Sequence, residues 1–174
     1  MQQNTNAPIL ELDYSLNSQS AQSSIMEHHL AKSKTKTTVQ IVILGAIALL
    51  FAVDAILSFD KMDLFMIAVC LICIAFMIFT PRTQAKDMSA KFGEGKSFKL
   101  ELYSNKASIS NGDTKTELAL SKSRISETKN FLYFESEKRM FSVPKSYLSE
   151  QQEADFRKFV KQNTQINYKN YNKK

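Results

Sequence analysis

Cysteine and histidine are nearly absent from this chain, which has two of each among its 174 residues. Cys70 and Cys73 form a Cys-x-x-Cys pair inside an apolar segment, and no second pair is present to complete the four ligands of a structural zinc site. Buried thiols in apolar surroundings are also unreactive. We therefore interpret the two cysteines as packing residues, and we expect no metal or other cofactor.

The chain also lacks the residue combinations that catalysis commonly uses. No histidine or cysteine follows Cys73, and the carboxylates beyond that point show no paired spacing typical of a general acid and a general base. His28 and His29 are adjacent, so their side chains would diverge by about 100° on a helix, and we interpret both as solvated. The sequence predicts a protein that is not an enzyme.

Charge is almost absent from two long segments. The runs Val39 to Phe59 and Leu64 to Thr80 contain Asp54 as their only charged residue. In a helix, at about 1.5 Å per residue, these runs would be roughly 31 and 26 Å long, close to the hydrocarbon thickness of a bilayer. We predict a transmembrane helical hairpin over 39–80, with spans at 39–59 and 64–80. The 38 mostly polar residues before the first run argue against a cleavable signal peptide.

Lysine and arginine are unevenly distributed around the two spans. Seven of them flank the two ends of the hairpin, whereas the connecting segment 60–63 contains only Lys61. Because positively charged residues stay on the cytoplasmic side, we predict a multi-pass protein of the cell inner membrane with both termini in the cytoplasm. Basic residues beside a span gain about 1 kcal/mol each from an anionic leaflet. The candidate contacts for anionic lipid headgroups are Lys32, Lys34, Lys36, Arg82, Lys86 and Lys91.

Asp54 is the one charged residue within the first span. A carboxylate at a helix centre costs about 2.5 to 3.5 kcal/mol on the insertion scale, but thirteen Val, Ile, Leu and Phe residues in this run return roughly 0.3 to 0.6 kcal/mol each. The span is therefore expected to insert. One hypothesis makes Asp54 an intramembrane proton or cation site, and the alternative is that it snorkels outward or pairs with Lys61. Two helices alone cannot enclose a substrate path, so a transport role would require a homo-oligomer.

The residues before the hairpin, 1–38, are predicted to form a strand and then a helix. Apolar and polar residues alternate from Ile9 to Leu16, which is typical of a half-buried strand. The segment from Ser18 to Lys36 lacks proline and glycine, and its apolar residues share one face, which predicts a helix leading into the first span. The strand needs a sheet to join. Since the only candidate is the C-terminal domain, we predict that the two ends of the chain pair.

After the hairpin, Pro81 is expected to end the second helix, and residues 81–96 are expected to form a basic linker. Short alternating strands follow between Phe98 and Val143, with a tight turn at Asn111-Gly112, where both residues tolerate positive φ. Pro144 should end the last strand, because proline removes a ladder donor.

A helix should complete this domain, which we place at residues 97–163. Ser149 and Gln152 have the spacing of a capping box, and the residues after them form an apolar stripe beside basic residues. The tail that follows, residues 164–174, is rich in asparagine and lysine, and we predict that it is disordered.

The order of these elements resembles a known family. Two hydrophobic spans are followed by short strands, the run Phe131-Leu132-Tyr133-Phe134, the step Val143-Pro144-Lys145 before Tyr147, and an amphipathic final helix. This order, over residues 9–163, is similar to that of the bacterial YcxB-like family. The resemblance implies a membrane protein whose small α+β cytoplasmic domain has an antiparallel, pleckstrin-homology-like sheet and a C-terminal helix. It assigns no catalytic residue, and Lys145 is open to two interpretations: a functional residue, or a residue that simply leaves the sheet after Pro144.

Basic residues dominate the chain from Arg82 onward, where nineteen Lys and Arg stand against eleven Asp and Glu, a balance of +8. Anionic lipid, acidic protein and nucleic acid would all be attracted, but nucleic acid is disfavoured because the charges are scattered and no aromatic stacking motif is present. Our leading hypothesis is a membrane-tethered, non-enzymatic binding or regulatory module that engages anionic lipid headgroups or a protein partner of unknown identity. The alternative is a membrane immunity or stress factor that acts through its transmembrane hairpin.

Overall fold

The structure of the protein is a computed structural model that describes residues 7–58, 60–112, 114–136 and 139–172. The chain divides into two compact units. The helical hairpin comprises Ile25–Met88, and the sheet domain comprises Met1–Ser24 together with Ser89–Lys174. The sheet domain is thus built from chain segments on both sides of the hairpin. Phe59, the last residue of the first predicted span, lies outside the described residues.

Two long helices supply the hairpin. Helix α1 covers Ser18–Ser58 and helix α2 covers Lys61–Ser89, and both are long and apolar enough to cross a membrane. The helix predicted from Ser18 and the first predicted span are one continuous helix. Large apolar side chains are exposed along both helices; on α1, for example, Leu50 is 72% exposed and Leu57 is 77% exposed. Such an apolar surface is unfavourable in water, so these helices have the character of candidate membrane spans rather than of buried core helices.

The prediction that Pro81 ends the second helix is wrong, because α2 continues through Pro81 to Ser89. A proline inside a helix removes one backbone donor, and neighbouring hydroxyl groups help to satisfy the carbonyl groups around it. Next to this proline, the hydroxyl of Thr83 donates to the carbonyl oxygen of Thr80 at 3.0 Å, whereas the carbonyl that loses its helical donor is that of Met77. The chain turns only after a short 3-10 helix at Ala90–Phe92, where Gly93 has a φ of 57°, a conformation that favours glycine. Much of the predicted linker, 81–96, is therefore helical.

Within the described residues, eight strands form two four-stranded sheets. The first sheet has the order β1-β2-β3-β4, and the second has the order β7-β6-β5-β8. All the strand pairs are antiparallel except β5 with β8, which is parallel. The strands are β1 Leu10–Leu16, β2 Lys96–Leu102, β3 Lys106–Asn111, β4 Thr114–Ala119, β5 Arg124–Glu127, β6 Phe131–Ser136, β7 Arg139–Pro144 and β8 Asn167–Asn170. The small α+β domain with an antiparallel sheet is thus present, and its strands form two sheets that are antiparallel except at the β5–β8 pair.

The predicted pairing of the two chain ends is confirmed. Strand β1, which precedes the hairpin, pairs with β2, which follows it, from Leu10 opposite Leu102 to Leu16 opposite Lys96. Alternate residues of β1 point into the core, as the sequence pattern predicts, and Tyr14 stacks on Phe98 with ring centroids 5.4 Å apart. Without β1, the edge of β2 and the apolar face beside it would be exposed.

One hydrophobic core joins both sheets and the last helix, α3 at Glu150–Gln162. Its buried residues include Leu100 and Ile109 from the first sheet, Phe134 from the second, and Phe156 from α3. The predicted capping box is confirmed, since the Ser149 hydroxyl accepts from the Gln152 backbone N–H and the Gln152 side chain accepts from the Ser149 N–H.

The prediction of a disordered tail at 164–174 is wrong for its described part. Strand β8 runs parallel to β5, Ile166 is buried, and the Tyr168 ring packs edge-on against Phe156 at 6.5 Å. Ile166 directly precedes β8, and Tyr168 lies opposite Ile125 in the parallel register. The burial of Ile166, the contact of Tyr168 with Phe156 and the backbone pairing with β5 outweigh the polar composition of the tail. Residues 173–174 lie outside the described part of the chain.

Candidate functional site

Two of the six predicted lipid-contact residues line one groove on the helical hairpin. Lys34 of α1 and Arg82 of α2 both border this groove, which has a volume of about 330 Å³. The other four residues are exposed but are not among those that line it. Lys32 and Lys36 lie on α1, Lys86 lies on α2, and Lys91 belongs to the sheet domain.

The helical repeat explains which residues of α1 reach this interhelical groove. The α1 residues in its lining recur at intervals of three and four, which places them on one helical face. They begin at Met26 and Leu30, pass through Ser33, Lys34, Thr37 and Thr38, and end at Ile41; on α2 the lining residues are Met77, Ile78, Pro81 and Arg82. His29 also lines the groove, whereas His28 is buried, which corrects the interpretation of His28 as solvated.

The interhelical groove is lined by both polar and apolar residues, and Met26 and Leu30 are apolar residues that precede the first apolar run. Its polar and basic residues precede Val39 on α1 or follow Thr80 on α2, and Ile41, Met77 and Ile78 lie within the two apolar runs. No aspartate or glutamate is among the described residues that line it. The groove therefore combines uncompensated positive charge and hydroxyl groups with an apolar floor.

Asp54 is exposed on α1 and accepts a hydrogen bond from the Ser58 hydroxyl, one turn later, at 3.1 Å. The sequence suggested Lys61 as a partner for Asp54, and the structure shows the nearer Ser58 in this role.

Cys70 is buried and Cys73, one turn later, is exposed. Among the described residues, no group of three or more His, Cys, Asp or Glu side chains is placed to hold a metal ion.

A cluster of charged side chains around Glu127 is the main polar feature inside the sheet domain. Glu127 ends β5, and its side chain is only 1% exposed. Its Oε1 atom lies 2.5 Å from the Nζ of Lys145 and 2.5 Å from the Nη2 of Arg157, and the hydroxyl of Tyr168 donates to its Oε2 atom. Glu153 is the second acid of the cluster, with Oε2 2.9 Å from the Nη2 of Arg157.

The charge of Glu127 is stabilised despite its burial. Burial raises the pKa of this carboxyl, but the hydrogen bonds from Arg157, Lys145 and Tyr168 together outweigh that effect and lower the pKa from 4.5 to about 2. The same contacts raise the pKa of the Arg157 guanidinium, chiefly through its hydrogen bond to Glu127. Burial, followed by the hydrogen bond to Glu127, raises the pKa of the Tyr168 hydroxyl. Glu127, Arg157 and Tyr168 therefore keep their ordinary charge states near neutral pH.

This cluster is a structural device that holds four chain segments together. Glu127 belongs to β5, Lys145 follows β7, Arg157 lies on α3 and Tyr168 lies on β8. Lys145 leaves the sheet after Pro144, as one of the two sequence interpretations held, and begins a short 3-10 helix at Lys145–Tyr147. Its side chain is only 8% exposed and pairs with Glu127, so it is a buried partner within the fold. Sequence reasoning missed Glu127 because a glutamate at a strand end is normally a solvated residue.

Comparison of the chain with protein-family models, curated proteins and solved structures finds no match.

Proposed function

We propose that this protein is a membrane-tethered, non-enzymatic binding or regulatory module, whose sheet domain is held at the cytoplasmic face of the inner membrane by the two helices. The observation that carries the proposal is the pairing of β1 with β2 along the whole of β1. Since α1 and α2 lie between these strands in sequence, both ends of the hairpin return to one folded domain.

This connectivity requires an even number of membrane crossings. One crossing would leave β1 and β2 on opposite sides of a bilayer, where they could not share hydrogen bonds, whereas two helices that both cross return the chain to the side it left. Both α1 and α2 meet the length and composition of a span. The distribution of lysine and arginine, seven beside the ends of the hairpin and one in its connecting segment, favours the cytoplasm as that side.

A relationship to the YcxB-like family and a pleckstrin-homology-like fold for the sheet domain are part of this proposal. The element order supports it: Phe131-Leu132-Tyr133-Phe134 lies in β6, Val143-Pro144 ends β7, and α3 follows. The partners we propose are the anionic headgroups of the bilayer and a protein partner, with a homo-oligomer as a further option for the hairpin.

Exchange of the hairpin tests whether the sheet domain or the helices perform the task. Residues 25–88 would be replaced by an unrelated two-helix hairpin of equal length, and the chimera would be tested for rescue of a strain that lacks the protein. A binding module retains its function in the chimera at normal abundance. Loss of function in an abundant, membrane-inserted chimera would instead support an immunity or stress factor that acts through the hairpin. Deletion of residues 10–16, which removes β1 and keeps the helices, is the converse control.

A further inference from the structure

We infer that the groove between α1 and α2 is a binding site for one anionic phospholipid, with Lys34 and Arg82 on the phosphate and with Ile41 and Met77 along the first part of an acyl chain. The inference rests on the proposed membrane location of the hairpin. Lys34 and Arg82 distinguish this single phospholipid site from the other four predicted lipid-contact residues, which do not line the groove.

The first argument is the position of the groove along the helices. Its polar and basic lining residues all lie outside the two apolar runs, before Val39 on α1 or after Thr80 on α2. Ile41, Met77 and Ile78 lie inside the runs, and Met26 and Leu30 are further apolar residues outside them. In a bilayer this boundary is the level of the lipid phosphates. At this level a phospholipid changes from its polar headgroup to its acyl chains.

The second argument is charge complementarity. Lys34 and Arg82 come from different helices, and no acidic side chain is among the described residues that line the groove. Arginine presents several N–H donors in a planar array that matches phosphate oxygens, and lysine adds a point charge. Ser33 and Thr37 supply hydroxyl groups on the same side of α1. Because two cationic side chains line the groove and no acidic side chain is among its described lining residues, a phospholipid with a net negative headgroup is favoured over a zwitterionic one.

The third argument is size. A volume of about 330 Å³ lies at the lower end of the range for small-molecule sites. It is sufficient for a phosphate with its glycerol unit and the first carbons of one chain, while the rest of the lipid remains in the bilayer. An acidic peptide would satisfy the two cations but would leave the apolar floor of Ile41, Met77 and Ile78 without a matching partner.

Native mass spectrometry of the full chain, released from mixed micelles of phosphatidylglycerol and phosphatidylcholine, tests this site. We expect wild type to retain one phosphatidylglycerol in preference to phosphatidylcholine. The double variant K34Q/R82Q should lower this retention by about thirtyfold, since each basic residue near anionic lipid contributes a factor of about five in affinity and the two factors multiply. The conservative variant K34R/R82K should retain the lipid.

The matched control is K36Q/K91Q, which removes the same charge from two predicted lipid-contact residues outside the groove lining. It should retain the lipid as wild type does. An equal loss in both double variants would overturn the proposal in favour of diffuse attraction to the basic surface, and equal retention of both lipids by wild type would show that the groove has no anion preference. Displacement of the lipid by inorganic phosphate alone would overturn the assignment to a phospholipid. Because the assay is performed in detergent, its failure is distinguishable from a wrong topology.

Discussion

The carboxylate of Glu127 lies 2.5 Å from the ammonium group of Lys145, and neither side chain is exposed to solvent by more than 8%. The two residues are 18 positions apart in sequence; Glu127 ends β5, and Lys145 directly follows β7. An ion pair removed from water is costly to form and even costlier to break on one side, because the remaining charge is left buried without its partner. The Glu127 cluster should therefore control the stability of the sheet domain.

Substitution of Lys145 should destabilise the protein far more than substitution of an exposed lysine. We expect Lys145→Met to lower the free energy of unfolding by about 3 kcal/mol or more. The measurement is urea-induced unfolding of the detergent-solubilised chain, followed by pulse proteolysis. Lys106→Met is the control, since the Lys106–Glu117 pair is 40% and 51% exposed and should contribute less than about 1 kcal/mol. Equal effects of the two substitutions would show that the buried pair has no special role.

Stability should fall in acid through the titration of Glu127. Its pKa is lowered from 4.5 to about 2 by the fold, so the carboxylate contributes stability that is fully present above about pH 5. As pH falls from 4.5 towards 2, the unfolded state takes up the proton first, and this contribution, about 3 kcal/mol, is lost. Urea midpoints measured across this range should decrease in wild type. The Glu127→Gln variant should be less stable at neutral pH and should have a shallower decrease. An equally steep decrease in that variant would assign the acid sensitivity to other carboxylates.

The sheet domain should fold without the helical hairpin if β1 is joined directly to β2. Leu16 and Lys96 are partners in the antiparallel register, so an Asn-Gly turn in place of residues 17–95 gives a two-residue hairpin loop. We expect a soluble, monomeric protein with cooperative unfolding, as measured by circular dichroism and gel filtration. The same protein without residues 7–16 should aggregate or resist protease poorly. A domain that is equally stable without β1 would contradict the role of β1 in completing the sheet.

Local patterns predicted the parts of this fold that short-range physics controls. The alternation from Ile9 to Leu16, the Asn111-Gly112 turn, whose Gly112 has a φ of 59°, and the Ser149 capping box all appear in the structure. Each of these signals is contained in a few neighbouring residues. The hairpin likewise followed from the lengths of two apolar runs.

Features that depend on distant partners were missed. The order of the C-terminal tail comes from Tyr168, which reaches Phe156 and Glu127, and no property of the tail alone reveals those partners. The continuation of α2 through Pro81 was missed for a different reason, because the cost of one lost hydrogen bond was given more weight than the helix propensity on both sides. The groove depends on how α1 and α2 are aligned beside each other. The sequence identified Lys34 and Arg82 as two of six candidate lipid contacts, but it could not show that these two line the same groove.

The central claim is that both ends of the hairpin return to one folded domain on the cytoplasmic side of the membrane. Cysteine labelling in intact cells with a membrane-impermeant maleimide tests it most directly. In a Cys70→Ala, Cys73→Ala background, one cysteine at a time would be introduced at the exposed positions Ala7, Met62 and Ser121. We predict that the Met62→Cys variant is labelled from outside, and that the Ala7→Cys and Ser121→Cys variants are labelled only after permeabilisation. Labelling of Ala7→Cys and Ser121→Cys from opposite sides would contradict the β1–β2 pairing, and labelling of both from outside would contradict the cytoplasmic location.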